Sequence, residues 1–255
     1  MRYRVSPAIL ADALKQDVDI EELGRLFALG TSSLKIGKIF KTTGLERTNM
    51  ADDLLLKIAQ EKSKPSLMEI GVSDGSSALG LLIRSDVFGR VVLTDRFSRF
   101  YVRKIPFGKV FLDAEERLYG VKLLCFFVFL SPRTVSNVSE YVVIEVVNPI
   151  LREKYGIKAI TRFNMFEDVL DEPVDIIKCA NILNKAYFSD EEIHAAVKNI
   201  CRSLNDGGSI VVTQNNEQYV DGEAGFILRK EGDGVILKEA FNEHYLVNLF
   251  SKCDG

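Results

Sequence analysis

The residues best suited to chemistry lie in one short stretch, Glu69-Ile70-Gly71-Val72-Ser73-Asp74-Gly75, and at Asp95. Ser66 to Ile70 reads as a short buried strand after the break at Pro65, and ALGLLIRS reads as a helix with small residues at its start. A strand, a glycine loop and a helix in that order form the ligand-binding turn of doubly wound folds. Gly71 lets the chain turn tightly, and Gly75 lets the backbone approach a ligand. The next strand, Arg90 to Thr94, ends at Asp95. An acid there, about 20 residues past the loop, can accept both hydroxyls of a ribose.

The loop residues also indicate which ligand. A dinucleotide loop needs glycines at G-x-G-x-x-G, and from Gly71 the next required positions hold Ser73 and Ser76. An acid followed by alternate glycines fits better, with Glu69, Gly71 and Gly75 in place and Ser73 at the middle position. Charge agrees with spacing. A pyrophosphate at the helix start would be repelled by Glu69 and Asp74. S-adenosylmethionine has no phosphate; it carries a sulfonium, an ammonium and a carboxylate. Acids near the loop suit the cations, and loop amides suit the carboxylate.

These residues need a scaffold, and the pattern around them supplies one. Residues 1–62 read as a helical segment or lid: Ile9, Leu10 and Leu14 at helical spacing after Pro7, then DIEELGRLFAL, then ADDLLLKIAQEK with Asn49 as its cap. Residues 63–255 read as the ligand-binding domain. Within it, about 96–138 form a β-rich insertion, with strands at Phe107–Leu112 and Leu118–Leu130 and DAEER between them. NPILREKY reads as a helix stopped by Gly156, followed by the strands IKAITR and VDIIKC. DEEIHAAVKNICRSL is an amphipathic helix capped by Ser189 or Asp190 and ended by Asp206-Gly207-Gly208, with SIVVTQ as the next strand. GFILRK and VILKEA flank the turn EGDG as a closing hairpin. The prediction is an α/β fold: a doubly wound, mostly parallel seven-stranded sheet with an antiparallel C-terminal hairpin, N-terminal helices and a β-rich insertion.

MEIGVSDG, VLTD ending at Asp95, RFNM, VDIIKCANIL and LNDGGSIVV together resemble the class I S-adenosylmethionine-dependent methyltransferases. The resemblance covers roughly residues 65 to 240. It implies S-adenosylmethionine as cofactor, with Glu69, Gly71, Ser73 and Gly75 at its methionine part and Asp95 at its ribose. It further implies Asn164 and Met165 against the adenine, and Asn181 beside the methyl group. DIIKCANILNKAYF with DGGSIVV is also partly similar to the chemotaxis-receptor glutamate methyltransferases. Those proteins carry an arginine where this chain has Ala180, and their spacing to the Tyr187-Phe188 pair is shorter.

The expected activity is methyl transfer to an oxygen or nitrogen of a small molecule or protein side chain. The alternatives are a non-catalytic methyltransferase-like binding module and, on a similar sheet, a nicotinamide-dependent oxidoreductase. No catalytic base is identified. His194 sits at the edge of an apolar helix face, and the reading of a boundary residue is preferred. His244, in FNEHYL, could serve a substrate hydroxyl, but a structural role is the commoner one for a lone histidine. A sulfonium is already an excellent leaving group, so alignment can supply much of the rate.

Composition removes other classes. With 255 residues and 47% apolar content the chain can bury a sizeable core. A net charge of -3 gives no support for a nucleic-acid substrate. Cys125, Cys179, Cys201 and Cys253 form no CxxC pair, which argues for reduced thiols rather than a metal site. The longest apolar run, VKLLCFFVFL, falls short of the ~20 residues of a membrane span, and MRYRVSPAILADALKQD lacks a signal-peptide core. A cytoplasmic protein is expected, of unspecified oligomeric state. The acceptor is expected between the N-terminal helices and the insertion. Phe97, Phe100, Tyr101, Tyr119 and the FFVFL run slightly favour an apolar or aromatic one.

Overall fold

The computed structural model describes residues 6–36, 39–41, 43–44, 47–84, 86–219 and 222–251; the reading of Cys253 lies outside them. Helix α1 (Ala8–Ala13) starts after Pro7, whose fixed φ suits a first turn. Helix α2 (Ile20–Ser32) is capped by the Asp19 carboxylate, which accepts the backbone N–H groups of Glu21 and Glu22. Strands β1 (Lys35–Ile36) and β2 (Ile39–Phe40) pair antiparallel, so the first 62 residues are not helical throughout. Helix α3 (Asn49–Ala59) has Thr48 at the cap position; Asn49, expected as the cap, is its first helical residue.

Strand β3 (Ser66–Ile70), helix α4 (Ser76–Arg84) and strand β4 (Arg90–Asp95) follow as the loop motif requires. The sheet formed by the insertion contains more strands than its pattern suggested and takes in a strand beyond residue 138, the expected end. These are β5 (Arg99–Ile105), β6 (Gly108–Leu112), β7 (Leu118–Leu123), β8 (Phe126–Phe129) and β9 (Val142–Glu145), in the antiparallel order β8-β7-β6-β5-β9. The stretch Leu118–Leu130, expected as a strand, turns back at Leu124, which has φ +52°. DAEER is a turn, as expected. The Asp113 carboxylate accepts the backbone N–H groups of Glu115 and Arg117 at 2.9 and 3.0 Å.

Helix α5 (Pro149–Tyr155) is capped by Asn148 and stopped by Gly156 in the left-handed conformation. Next come β10 (Thr161–Arg162), β11 (Val174–Ala180) and α6 (Asp190–Cys201), whose Ser189 and Glu192 form a capping box. Strand β12 (Leu204–Asn215) starts earlier than expected. Asp206-Gly207-Gly208 lies inside it, where its pairing with β11 shifts register between Val174 and Ile176. Strands β13 (Glu223–Glu231) and β14 (Gly234–Phe241) form the closing hairpin, and α7 (Val247–Phe250) ends the described chain.

The main sheet runs β10-β4-β3-β11-β12-β13-β14. The pairs β4–β3, β3–β11 and β11–β12 are parallel, and the last two are antiparallel. The predicted fold class is thus the observed one. The chain divides into two compact units: Met1–Leu45 with Val72–Leu79 and Asp95–Arg162, and Glu46–Gly71 with Gly80–Thr94 and Phe163–Gly255.

The second unit packs Met68, Ile177, Val197, Ile200, Val212 and Phe226 on one side of the sheet, and Leu55, Leu67, Leu81 and Val211 in a separate cluster. In the first unit, Leu10, Phe27 and Leu34 pack with Phe100, Phe111 and Tyr119, and Phe127 and Phe129 close over them. Phe100 and Tyr119 meet edge to face at 5.3 Å, and Phe127 and Phe129 at 4.7 Å. The expectation of an acceptor between these helices and the insertion therefore meets a close-packed aromatic core instead. The aromatics there hold the two layers together.

Candidate functional site

In the second unit, Gly71 directly follows β3 and Asn181 directly follows β11, two neighbouring parallel strands of the main sheet. The Gly71 N–H donates to the Thr94 carbonyl at 2.8 Å. Its φ is +75°, and a Cβ there would stand 2.4 Å from Ile182 Cγ2. Glycine is required on both counts. Gly71→Ala should lower stability by roughly 2–4 kcal/mol from left-handed strain plus overpacking, read as a lower urea midpoint with an unchanged m-value. Asn181 also has positive φ, +62°. Its N–H donates to the Thr213 carbonyl at 2.8 Å, and its side chain exchanges hydrogen bonds with Asn215, at 2.5 and 2.8 Å.

Glu69 is 2% exposed and belongs to a buried charge cluster. Lys178, directly across the β3–β11 ladder, is 0% exposed. Its Nζ lies 3.2 Å from Glu69 Oε1 and 2.7 Å from Asp52 Oδ1, and donates to Thr48 Oγ1 at 2.9 Å. Glu223, also 2% exposed, accepts the Met50 N–H at 2.8 Å. Burial pulls the Lys178 ammonium down, but Glu69 and Asp52 together override it and the net direction is up. Burial pushes Asp52 from the ordinary 3.8 to about 6, against the attraction of Lys178. The sign follows by linkage. A carboxyl raised in the folded state contributes stability that is fully present below about pH 3.8 and lost as pH rises through about 6. Wild-type stability relative to Asp52→Asn should therefore fall between pH 4 and pH 6, measured by urea unfolding at several pH values; parallel curves would refute the assignment.

Asn164, 7% exposed, lies in the turn after β10. Its N–H donates to Asp168 Oδ2 at 2.7 Å, and its Oδ1 accepts the Phe166 N–H at 3.2 Å. Met165 packs on the main core, and its carbonyl accepts Asn199 Nδ2 at 3.2 Å.

In the first unit, Ser73 and Asp95 are brought together. The Ser73 N–H donates to Asp95 Oδ2 at 2.8 Å, from a backbone with φ +61°. Asp95 Oδ1 accepts the Phe97 N–H at 2.6 Å and Lys41 Nζ at 3.0 Å. Gly75, φ +83°, closes the loop by donating to the Val72 carbonyl at 2.8 Å. Asp74, 0% exposed, accepts the Thr43 hydroxyl at 2.6 Å and the Ser76 N–H at 3.0 Å, while its Oδ2 has no hydrogen-bond partner. Burial pushes its carboxyl up, opposed by those donors and the Lys41 charge. Asn148 braces the loop: its N–H donates to the Asp74 carbonyl at 2.8 Å, and its Nδ2 to Ser76 Oγ at 2.8 Å and the Gly24 carbonyl at 3.0 Å.

The sequence reading missed Lys41, Asp52 and Lys178, the charged residues on Glu69 and Asp95. For Lys178 a signal existed: a lysine inside the apolar strand VDIIKCA has to be buried, and a buried ammonium needs carboxylates. For Lys41 no local pattern exists. His194 is exposed at its helix edge, against Phe250. His244 is buried, and burial pushes its imidazole down to about 4. Among the described residues no group of His, Cys, Asp and Glu is arranged to hold a metal, and no helix is long and apolar enough to cross a membrane.

Sheet order decides the architecture: the glycine loop leaves central β3, β4 and β11 flank it in parallel, and an antiparallel hairpin closes the sheet. That order is consistent with the class I methyltransferase fold. No family model and no curated protein matches the chain. Among solved structures it is similar to the N-methyltransferase NodS from Bradyrhizobium japonicum WM9, in complex with S-adenosyl-L-homocysteine, at 13% identity and TM-score 0.38. That likeness covers 68% of this chain and 65% of that one, so the chain spans less than two thirds of NodS. An S-adenosylmethionine-dependent methyltransferase from Clostridium acetobutylicum ATCC 824 aligns at 10% identity and TM-score 0.41, over 79% of this chain and 78% of that one. Streptomyces venezuelae DesVI aligns at 14% and 0.39, over 87% and 75%. At these values nothing about the neighbours' substrates carries over to this chain.

Proposed function

We propose that the chain is an S-adenosylmethionine-dependent methyltransferase acting on an oxygen or nitrogen of a small molecule or protein side chain. The observation that most supports this reading is the 2.8 Å hydrogen bond from Ser73 N–H to Asp95, which joins the two motifs the sequence singled out. In this reading the amides around Gly71, Ser73 and Gly75 hold the methionine carboxylate, and Glu69 sets a negative field for the ammonium and sulfonium. Asp95 takes the ribose hydroxyls, Asn164 and Met165 lie at the adenine, and Asn181 lies near the methyl. The acceptor lone pair forms its bond to the methyl carbon as the C–S bond breaks. The sulfur keeps that electron pair and becomes a neutral thioether, and the acceptor's proton leaves to solvent. The free thiols Cys125, Cys179 and Cys201 support a reducing, cytoplasmic setting.

One observation favours the binding-module alternative: Glu69 and Asp95 already hold lysine partners, Lys178 and Lys41. Incubation with methyl-deuterated S-adenosylmethionine and a panel of amines and alcohols separates the two. An enzyme yields deuteromethylated product by mass spectrometry; a binding module retains the cofactor and yields none.

A further inference from the structure

The second unit contains a cavity of about 480 Å³, within the size range of small-molecule sites. It is lined by Gln214, Asn215, Asn216, Glu217, Gln218, Ala224, Glu243, His244 and Tyr245. No lysine or arginine lines it, and Glu217 and Glu243 give it two carboxylates. One lining residue, Asn215, accepts a hydrogen bond from the side chain of Asn181, the residue after β11 that the proposed function sets near the methyl group.

Two lining residues have a buried polar atom without a protein partner: Gln214 Oε1 and His244 Nε2. His244 is 4% exposed. The Leu246 N–H donates to its Nδ1 at 3.2 Å, so in the neutral ring the proton sits on Nε2. Burial, which pushes this imidazole down to about 4, keeps it neutral at physiological pH. Such a ring is a poor base and a fixed donor, held between Phe226 at 5.0 Å and the stacked Tyr245 at 4.9 Å. The cavity wall thus carries a residue with an unmet donor and one with an unmet acceptor, groups that a ligand hydroxyl suits, beside two carboxylates that suit an ammonium.

We propose that this cavity is the acceptor subsite and that it takes a small hydroxylated amine rather than an apolar, aromatic or anionic acceptor. The proposal rests on the methyltransferase reading. His244 positions a substrate hydroxyl, while Glu217 and Glu243 draw the ammonium to the mouth.

The test uses the full chain, titrated by calorimetry with D-glucosamine, D-glucose, N-acetylglucosamine and phenethylamine, with and without S-adenosylhomocysteine. Glucosamine should bind at least tenfold more tightly than the other three. A Glu217→Gln, Glu243→Gln double variant should weaken it at least fivefold. His244→Phe, which keeps the ring packing and removes the donor, should weaken it about tenfold. All variants should keep the wild-type melting temperature and affinity for S-adenosylhomocysteine, which a merely structural role would not allow. Binding of S-adenosylhomocysteine without glucosamine binding, tighter phenethylamine binding, or unchanged affinity in the variants would overturn the subsite. Glucosamine binding in a chain that ignores S-adenosylhomocysteine would support the cavity's ligand class and overturn the methyltransferase reading instead.

Discussion

Lys178→Ala should cost about 3–5 kcal/mol of stability, because it strips the counter-charge from Glu69 and Asp52 in a site closed to water. Total stabilities of ~5–15 kcal/mol are usual, so the loss would be a large share of the whole. Lys178 Nζ is the group that reaches strand β3 at Glu69 and helix α3 at Asp52 and Thr48. Its removal should therefore loosen the helix as well as the sheet, and urea unfolding should show a much lower midpoint. A triple variant, Lys178→Met with Glu69→Gln and Asp52→Asn, removes the surplus charge and should recover part of the loss. A single Lys178→Ala change costing under about 1 kcal/mol would mean that the cluster is better solvated than its burial indicates.

Asp95→Ala should weaken S-adenosylhomocysteine at least tenfold, equivalent to about 1.4 kcal/mol. Both carboxylate oxygens organise the loop, one through Ser73 N–H and the other through Phe97 N–H and Lys41. The substitution thus removes the ribose acceptor and slackens the backbone meant for the methionine carboxylate. It also leaves the 8%-exposed Lys41 uncompensated, so a drop in melting temperature should accompany the drop in affinity. Lys41→Met separates these effects. It keeps the Asp95 carboxylate and frees the oxygen that Lys41 shares, so affinity for S-adenosylhomocysteine should hold or rise. A loss as large as that of Asp95→Ala would make Lys41 itself part of the ligand's contacts. Calorimetry on the three proteins decides.

What the sequence disclosed and what it hid have physical causes. The strand, loop, helix and strand from Ser66 to Asp95 were legible because each leaves a local mark: an apolar run, glycines where φ is positive, small residues at a helix start. The closing hairpin was legible from the turn residues between GFILRK and VILKEA. The insertion was not. Four of its five strands put residues against the Leu10 and Phe27 core, yet Phe126, Val128 and Val142 are apolar and exposed, which blurs the two-residue period. The same ambiguity let Tyr119 and the FFVFL aromatics pass for pocket lining when most of them are packing. The ionic partners were hidden for a different reason. Lys41 is far from Asp95 in the chain, as is Lys178 from Asp52, and only the fold brings each pair within 3.0 and 2.7 Å. The His244 cavity depends on a turn and two strand ends, none of which carries a motif.

The most direct test of the methyltransferase reading is calorimetric titration of the folded chain with S-adenosylhomocysteine at neutral pH. The account predicts saturable binding to one site per chain, with a dissociation constant of about 100 μM or tighter, about -5.5 kcal/mol or better. A folded chain, shown so by its cooperative melt, that gives no binding to S-adenosylhomocysteine or to S-adenosylmethionine would contradict it.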